Sequence, residues 1–127
     1  MLEEKILFYT LTKDWPNLAV FEVEKMEKYH DHMFTDDLNN AVYDDIFMRI
    51  SDKNLLTRTA KIMEIVVKQN PRQMVYLDTY ANVLYKLGRT REALALEEKA
   101  FAASPGNEET AANFKKMKAG KPTWPKE

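Results

Sequence analysis

The sequence predicts an all-α fold made of antiparallel helix hairpins, and three observations support this prediction. Only three of the 127 residues are Gly, while Lys, Glu, Ala and Leu, which favour helices, are common. Apolar residues recur at helical spacing, as in Leu77, Tyr80, Ala81 and Leu84. Pro and Gly divide the chain into segments of single-helix length, and no segment has the pattern of a strand.

Seven helices are predicted, followed by a short tail at 119–127. Their approximate bounds are 2–12, 15–32, 36–50, 53–69, 73–87, 90–103 and 107–118. The first helix has its apolar stripe at Leu2, Ile6 and Tyr9. A break over residues 13–16 ends it, and Pro16 begins the second helix because a first turn needs no amide donor there.

The next helices follow from their stripes and their first residues. The stripes lie at Leu38, Val42, Ile46 and Ile50 in the third helix, at Leu55, Thr59, Ile62, Met63 and Val66 in the fourth, and at Ala93, Leu96, Ala100 and Phe101 in the sixth. We expect Thr35 to cap the third helix, Ser51 with Asp52 to open the fourth, and Thr90 to cap the sixth. The seventh helix starts after Pro105 and Gly106, with acids in its first turn and lysines in its last.

Composition excludes several kinds of chemistry. The chain has no Cys, which excludes disulfides, thiol catalysis and thiolate metal ligands. The net charge is −1, but residues 1–52 carry −7 and residues 53–127 carry +6. The basic residues are dispersed, no apolar run is long enough for a membrane span, and the acidic N-terminus is unlike a signal peptide. We therefore expect no nucleic-acid or membrane partner.

The chain contains an internal repeat of 34 residues. When residues 40–73 are overlaid on residues 74–107, residues of similar character coincide. The matched pairs are Tyr43 with Leu77, Ile46 with Tyr80, Ile50 with Leu84, Thr59 with Ala93, Val66 with Ala100, and Pro71 with Pro105. This pattern predicts one helix pair per period.

Residues 74–107 resemble a tetratricopeptide (TPR) repeat, whose period is also 34. The matching positions are Leu77 at the large apolar place, Ala81, Ala93 and Ala100 at the small places, Gly88 at the turn and Pro105 at the end. Glu97 departs from the pattern, since an aromatic residue is usual there. Unit 40–73 is more degenerate, because Phe47 and Asn54 replace the first small residue and the turn glycine, and residues 2–35 form the most degenerate pair.

This resemblance implies a single domain over residues 1–127. Its fold would be a TPR-like stack of three antiparallel helix hairpins (2–35, 40–73 and 74–107) with a capping helix at 107–118, an α-α superhelix. Small residues let paired helices approach closely. The function that it implies is a non-enzymatic protein-protein interaction or scaffold module, without a cofactor.

A narrower resemblance covers the chain from Asp14 onward. The strings LNNAVYDDIF, LDTYANVLYKLGRTREALALEEKAF and KMKAGKPTW are similar to the helical C-terminal region of bacterial thioredoxin-family proteins, which are usually exported. It implies, as the alternative function, a structural accessory domain of a thiol-disulfide protein. Because no Cys-x-x-Cys is present, no catalytic residue can be transferred. A complete chain would be cytoplasmic, and a fragment of such a protein periplasmic or exported.

In TPR stacks the first helix of each pair lines a concave groove that holds peptides. The resemblance places in this groove Asp44, Asp45 and Met48 from the middle unit, Asp78, Thr79, Asn82, Tyr85 and Lys86 from the last, and Glu3 and Glu4 from the first. The acids would favour a cationic segment, and the amide of Asn82 could bind a peptide backbone. Alternatively, the units form a compact bundle whose concave face is filled by its own side chains.

Two further places have two interpretations each. Trp124, between Pro122 and Pro125, either folds back over the last helix or is an exposed docking anchor for another domain, possibly a thioredoxin-like one. His30 and His32 could hold a metal, but on a helix this spacing points them apart, so a polar helix end is the interpretation we favour and no metal site is predicted.

Overall fold

The computed structural model describes residues 1–125, which contain seven helices and no strand. The all-α prediction is thereby confirmed. The helices are α1 (Leu2–Leu11), α2 (Trp15–Tyr29), α3 (Thr35–Asn40), α4 (Lys53–Gln69), α5 (Met74–Lys86), α6 (Thr90–Ala103) and α7 (Glu108–Lys118). A 3-10 turn at His30–His32 follows α2, and a π-helix at Ala41–Phe47 continues α3. The last two residues of the predicted tail, 126–127, lie outside the described part.

Three helices begin at a side-chain cap. Asp14 accepts a hydrogen bond from the amide of Asn17 at 3.3 Å, and Asp52 accepts one from the amide of Leu55 at 2.9 Å. The Asn107 side chain accepts one from the amide at residue 110 at 2.9 Å. These bonds satisfy amides that have no partner within their own helix, so they fix where α2, α4 and α7 start.

The predicted caps at Thr35 and Thr90 were wrong. Both residues are already helical, and the cap positions are occupied by Phe34 and Arg89, neither of which makes a side-chain cap bond. The physical reason is that the backbone leaves the helical region one residue earlier, with ψ of 129° at Phe34 and 63° at Arg89. In α6, Arg89 instead makes two hydrogen bonds to Glu92 in the first turn.

Helix α5 lies in the centre of the molecule. Every residue from Tyr76 to Lys86 is buried, and the helix packs against α4, α6, α7 and the π-helix. A helix that is covered all round belongs to the core. Its polar residues must therefore find partners inside the protein.

Small residues line the contact between α5 and α6. Ala81 of α5 and Ala93 and Ala100 of α6 have no exposed surface, so their expected burial is confirmed. The turn between the helices depends on Gly88, whose φ of +91° is unfavourable for other residues. The amide of Arg89 then reaches back to the carbonyl of Leu84 at 2.9 Å, which closes the end of α5.

The third predicted helix, 36–50, is not a uniform α-helix. It widens into a π-helix at Ala41–Phe47, where the amide of Met48 donates to the carbonyl of Tyr43, five residues back, at 3.1 Å. Phe47, which stands at the repeat position of Ala81, has no exposed surface. The wide turn thus coincides with the place where a bulky core residue replaces a small one. Single wide turns of this kind are frequent at functional sites.

The tail returns to the bundle. The hydroxyl of Tyr85 donates to the carbonyl of Lys121 at 2.8 Å. The ring centroid of Trp124 lies 6.2 Å from that of Phe47 and 5.9 Å from that of Tyr85. Lys86 donates from its ammonium to the carbonyl of Phe47 and lies 5.5 Å from the Trp124 centroid. Trp124 therefore folds back, over α5 and the π-helix, and its role as an anchor for another domain stays a prediction.

Candidate functional site

A pocket of about 240 Å³ opens where the π-helix, α5 and α7 meet. The π-helix and the end of α3 form one wall, the first turns of α5 form the floor, and the start of α7 forms the other wall. The lining residues are Asn39, Asn40, Tyr43, Asp44, Met74, Val75, Asp78, Thr79, Asn107, Glu109 and Thr110. We refer to this site as the acidic pocket.

Carboxylates dominate the charge of the acidic pocket. Asp44, Asp78 and Glu109 come from three different helical segments, and none of the lining residues is Lys, Arg or His. Converging negative charge without an internal counter-ion attracts cations and repels anions. The chemistry of the pocket therefore suits an ammonium or guanidinium group.

Tyr43 supplies a neutral donor beside these acids. Its hydroxyl donates to Glu109 Oε1 at 3.0 Å. Burial raises the pKa of the Tyr43 hydroxyl well above its ordinary value, and the nearby Glu109 and Asp78 raise it further. Tyr43 therefore keeps its proton and holds Glu109 at the mouth of the pocket.

Asn39 offers an acceptor that the protein leaves unused. Its side chain is 3% exposed, and Asn39 Oδ1 accepts no hydrogen bond from the part of the chain described here. A buried acceptor without a donor costs stability, so it is normally satisfied. A donor group entering the acidic pocket would be able to satisfy it.

A buried polar network lies behind the pocket. The side-chain nitrogen of Asn82 lies 3.2 Å from Asp78 Oδ1 and 3.3 Å from Glu97 Oε2. The side-chain nitrogen of Asn113 donates to the same Asp78 Oδ1 at 3.3 Å. Burial raises the pKa of Glu97 to about 11, and the hydrogen bond to Asp78 and the charge of that carboxylate act in the same direction. Glu97 is thus a neutral acid that supports Asp78 from the core.

The predicted groove residues separate into three groups. Asp44, Asp78 and Thr79 meet in the acidic pocket. Asn82 has no exposed surface and its amide is used inside the bundle, and Tyr85 and Lys86 contact the tail and the π-helix. Met48 is half-buried against the core. Peptide binding by these residues stays a prediction, and only the first group borders the pocket.

Asp45 points away from Asp44. It faces Glu22 of α2, and Arg49 Nη1 lies 3.9 Å from Asp45 Oδ1. Burial, followed by the hydrogen bond and the negative charge of Asp45, raises the pKa of Glu22 to about 9. Glu3 also lies elsewhere, in an ion pair with Lys25 at 2.7 Å. The two adjacent aspartates therefore belong to different surroundings.

The histidines lie at the end of α2. His30 Nδ1 lies 3.2 Å from the carbonyl of Met26, and His30 Nε2 lies 3.1 Å from Asp31 Oδ1. No cluster of three or more His, Cys, Asp or Glu within residues 1–125 is arranged to hold a metal ion.

Sequence reasoning missed Asn39, Tyr43 and Glu109. Asp44 and Asp78 are 34 residues apart, so the repeat does bring them into equivalent positions. Glu109 was interpreted only as a favourable charge in the first turn of α7, and nothing in the repeat indicated that α7 would reach this pocket. The π-helix that turns Tyr43 toward Glu109 left no signal in the spacing of apolar residues.

Comparison of the chain with protein-family models, with curated proteins and with solved structures gives no match. Within residues 1–125, no helix combines the length and the apolar character that a membrane span requires.

Proposed function

We propose that this chain is a non-enzymatic protein-interaction module of TPR type, and that its acidic pocket binds a lysine or arginine side chain of an extended partner segment. The observation that carries the proposal is the convergence of Asp44, Asp78 and Glu109 on one pocket that no basic side chain lines. Asn39 Oδ1 adds a buried acceptor without a donor, which an ammonium or guanidinium group supplies.

The rest of the pocket suits a peptide rather than a free metal ion. Val75 is 48% exposed and Met74 lies beside it, so the rim is apolar while the interior is acidic. A lysine or arginine side chain has the same division, with an apolar stem and a charged end. The volume of about 240 Å³ admits one such side chain and leaves its backbone at the rim.

Support for the TPR-type architecture comes from three features. These are the 34-residue self-overlay, the seven consecutive helices, and the burial of Ala81, Ala93 and Ala100 between paired helices. The polar centre of the last unit supports binding over catalysis, because Glu97, Asn82 and Asn113 hold Asp78 in place and lie behind the pocket. A fixed carboxylate binds a cation with little reorganisation.

The test uses short fluorescent peptides that differ only at one central residue, which is Lys, Arg, Gln or Glu. We expect the Lys and Arg peptides to raise fluorescence anisotropy on titration with the protein, and the Gln and Glu peptides to bind at least tenfold more weakly. The pocket variant is Asp44→Asn with Glu109→Gln, which removes two charges and leaves the buried network intact. Asn82 is unsuitable for this test because replacing it would disturb the core.

The matched control is Glu64→Gln with Glu98→Gln, which removes the same charge from exposed positions outside the pocket. We expect the pocket variant to lose at least tenfold in affinity for the Lys peptide and the control to change less than twofold. Equal losses in both variants would mean that net charge alone attracts the peptide, and the proposal would then be wrong. Equal binding of all four peptides would have the same consequence.

A second candidate function is a structural accessory domain of a thioredoxin-type protein. Its support is the LDTYAN, YKLGR and EEKA string, which covers the buried helix α5, the Gly88 turn and α6. Its test is the open reading frame of the parent gene: a Cys-x-x-Cys domain encoded upstream in the same frame supports it, and a stop codon directly before Met1 argues against it.

A further inference from the structure

Helix α1 has an apolar face that the described chain does not cover. Met1, Leu7, Phe8 and Leu11 are 86, 59, 58 and 73% exposed, and α1 has no buried residue. Positions 4, 7, 8 and 11 lie on one side of a helix, so Leu7, Phe8 and Leu11 form a continuous stripe with Glu4 at its N-terminal end. Single exposed apolar residues are ordinary, whereas a continuous face indicates an interaction surface.

The opposite side of α1 is already used. Tyr9 stacks on Phe21 of α2 with centroids 5.6 Å apart and planes 3° from parallel. Lys5 lies over the same Phe21 ring at 4.9 Å, and Glu3 pairs with Lys25 at 2.7 Å. These contacts fix the rotation of α1 on α2, so the stripe faces away from the bundle.

We propose that the α1 stripe pairs two copies of this chain, with their α1 helices packed antiparallel about a two-fold axis. A two-fold axis makes the surface self-complementary, so one stripe covers the other. Phe8 lies near the middle of the stripe and would contact Leu7 and Leu11 of the second copy. The inference does not depend on the acidic pocket.

The charges at the two ends of α1 select the antiparallel arrangement. Glu4 lies at the N-terminal end of the stripe, and the exposed Lys13 follows the C-terminal end. In an antiparallel pair Glu4 lies near Lys13 of the second copy, twice by symmetry, and the opposed helix dipoles attract. A parallel pair would bring the two Glu4 side chains together.

The size of the stripe sets the expected strength. Ten residues make a helix about 15 Å long and about 10 Å wide. Two such faces bury less than the roughly 800 Å² per partner of a stable complex. The dimer is therefore expected to dissociate at micromolar or higher concentrations, between about 10 µM and about 1 mM.

Sedimentation velocity over this concentration range measures the self-association. We expect the sedimentation coefficient of the 127-residue chain to rise from that of a monomer toward that of a dimer. The variant Phe8→Glu with Leu11→Glu should weaken the association at least tenfold. The control Phe34→Glu with Val75→Glu makes the same charge change at other exposed apolar residues and should associate as the original chain does. Far-UV circular dichroism checks that each variant is folded.

A charge exchange tests the orientation. Glu4→Lys alone and Lys13→Glu alone should each weaken the dimer severalfold at low salt, and the two together should restore it. A monomer at every concentration overturns the proposal, as does a dimer that survives the stripe variant or is lost in the control. A double exchange that remains as weak as the single ones overturns the antiparallel arrangement.

Discussion

Asp78 of α5 and Glu97 of α6 share one hydrogen-bond donor, the side-chain nitrogen of Asn82, which lies 3.2 Å from Asp78 Oδ1 and 3.3 Å from Glu97 Oε2. Both carboxyl groups are buried, and Glu97 has no exposed surface. Two adjacent buried carboxyl groups cannot both carry a full charge, so one must keep its proton. The pKa of about 11 for Glu97 identifies it as the protonated member.

This pair makes stability depend on pH. The folded protein holds a proton on Glu97 up to about pH 11, whereas the unfolded chain releases it near the ordinary pKa of 4.5. Below pH 4.5 both states are protonated and the contribution is complete. Above that value the folded state binds more protons than the unfolded state, so the free energy of unfolding falls as pH rises toward 11.

We expect Glu97→Gln to remove most of this dependence. The Gln amide keeps the shape of the protonated acid and donates to Asp78, but it has no proton to lose. At pH 8 the variant should be more stable by about 1–3 kcal/mol, and near pH 4 the difference should vanish. Denaturant unfolding from pH 4 to pH 9 measures this. The matched control is Glu98→Gln, one residue along on the exposed side of α6, which should leave the slope unchanged. Parallel pH profiles for the original chain and Glu97→Gln would refute the shared-proton arrangement.

Ala81→Leu tests the close approach of α5 and α6. Ala81 has no exposed surface, so a larger side chain would push the helices apart and cost about 1–3 kcal/mol. Thermal unfolding measures the loss. The exposed Ala95 of α6 provides the control, since Ala95→Leu should change stability by less than about 0.5 kcal/mol. An unchanged midpoint for Ala81→Leu would mean that the interface has room for the added atoms.

Trp124→Ala tests whether the tail stabilises the bundle. The substitution removes the ring contacts with Phe47 and Tyr85 and uncovers the buried Lys86, so we expect a loss of about 1–2 kcal/mol. Cleavage by trypsin after Lys121 should become faster, because the hydrogen bond from Tyr85 no longer holds a packed tail. Pro125→Ala, at an exposed neighbour, should affect neither measurement. A tail that is cleaved at the same rate in both variants would show that Trp124 does not hold it.

Arg58 and Glu27 link α4 to α2 through two parallel hydrogen bonds of 3.0 and 2.7 Å. Both side chains are partly exposed, so a double-mutant cycle with Ala should give a coupling of about 0.5–1 kcal/mol that decreases in about 1 M salt. The same cycle for Lys68 and Glu64, 3.6 Å apart on one helix and more exposed, should give about 0.3 kcal/mol. Equal couplings for the two pairs would show that the bidentate geometry adds nothing.

The helices could be predicted from the sequence because their signals are local. The apolar stripes, Gly88 and the prolines placed all seven, and the repeat placed Ala81, Ala93 and Ala100 in the core. The acidic pocket was predicted only in part. Asp44 and Asp78 follow from the repeat, whereas Glu109 enters from a helix outside it.

The remaining differences have non-local causes. Glu97 was noted only as a departure from an aromatic position, and its role depends on Asp78, Asn82 and burial, none of which periodicity reports. Tyr85 and Lys86 lie on a face that the repeat would leave open, but the returning tail and Phe47 cover them. A segment without regular periodicity, such as this tail, cannot be placed from spacing.

The π-helix at Ala41–Phe47 has a consequence for how this segment tolerates change. One residue corresponds to about 100° of rotation in an α-helix. Deleting any one residue here would let the segment rewind as an ordinary α-helix and would turn everything on one side of the deletion by that angle. Phe47 could then no longer point inward while Asp44 points into the pocket. Substitutions in this stretch can be absorbed one by one, but a change in its length would separate the core from the binding surface.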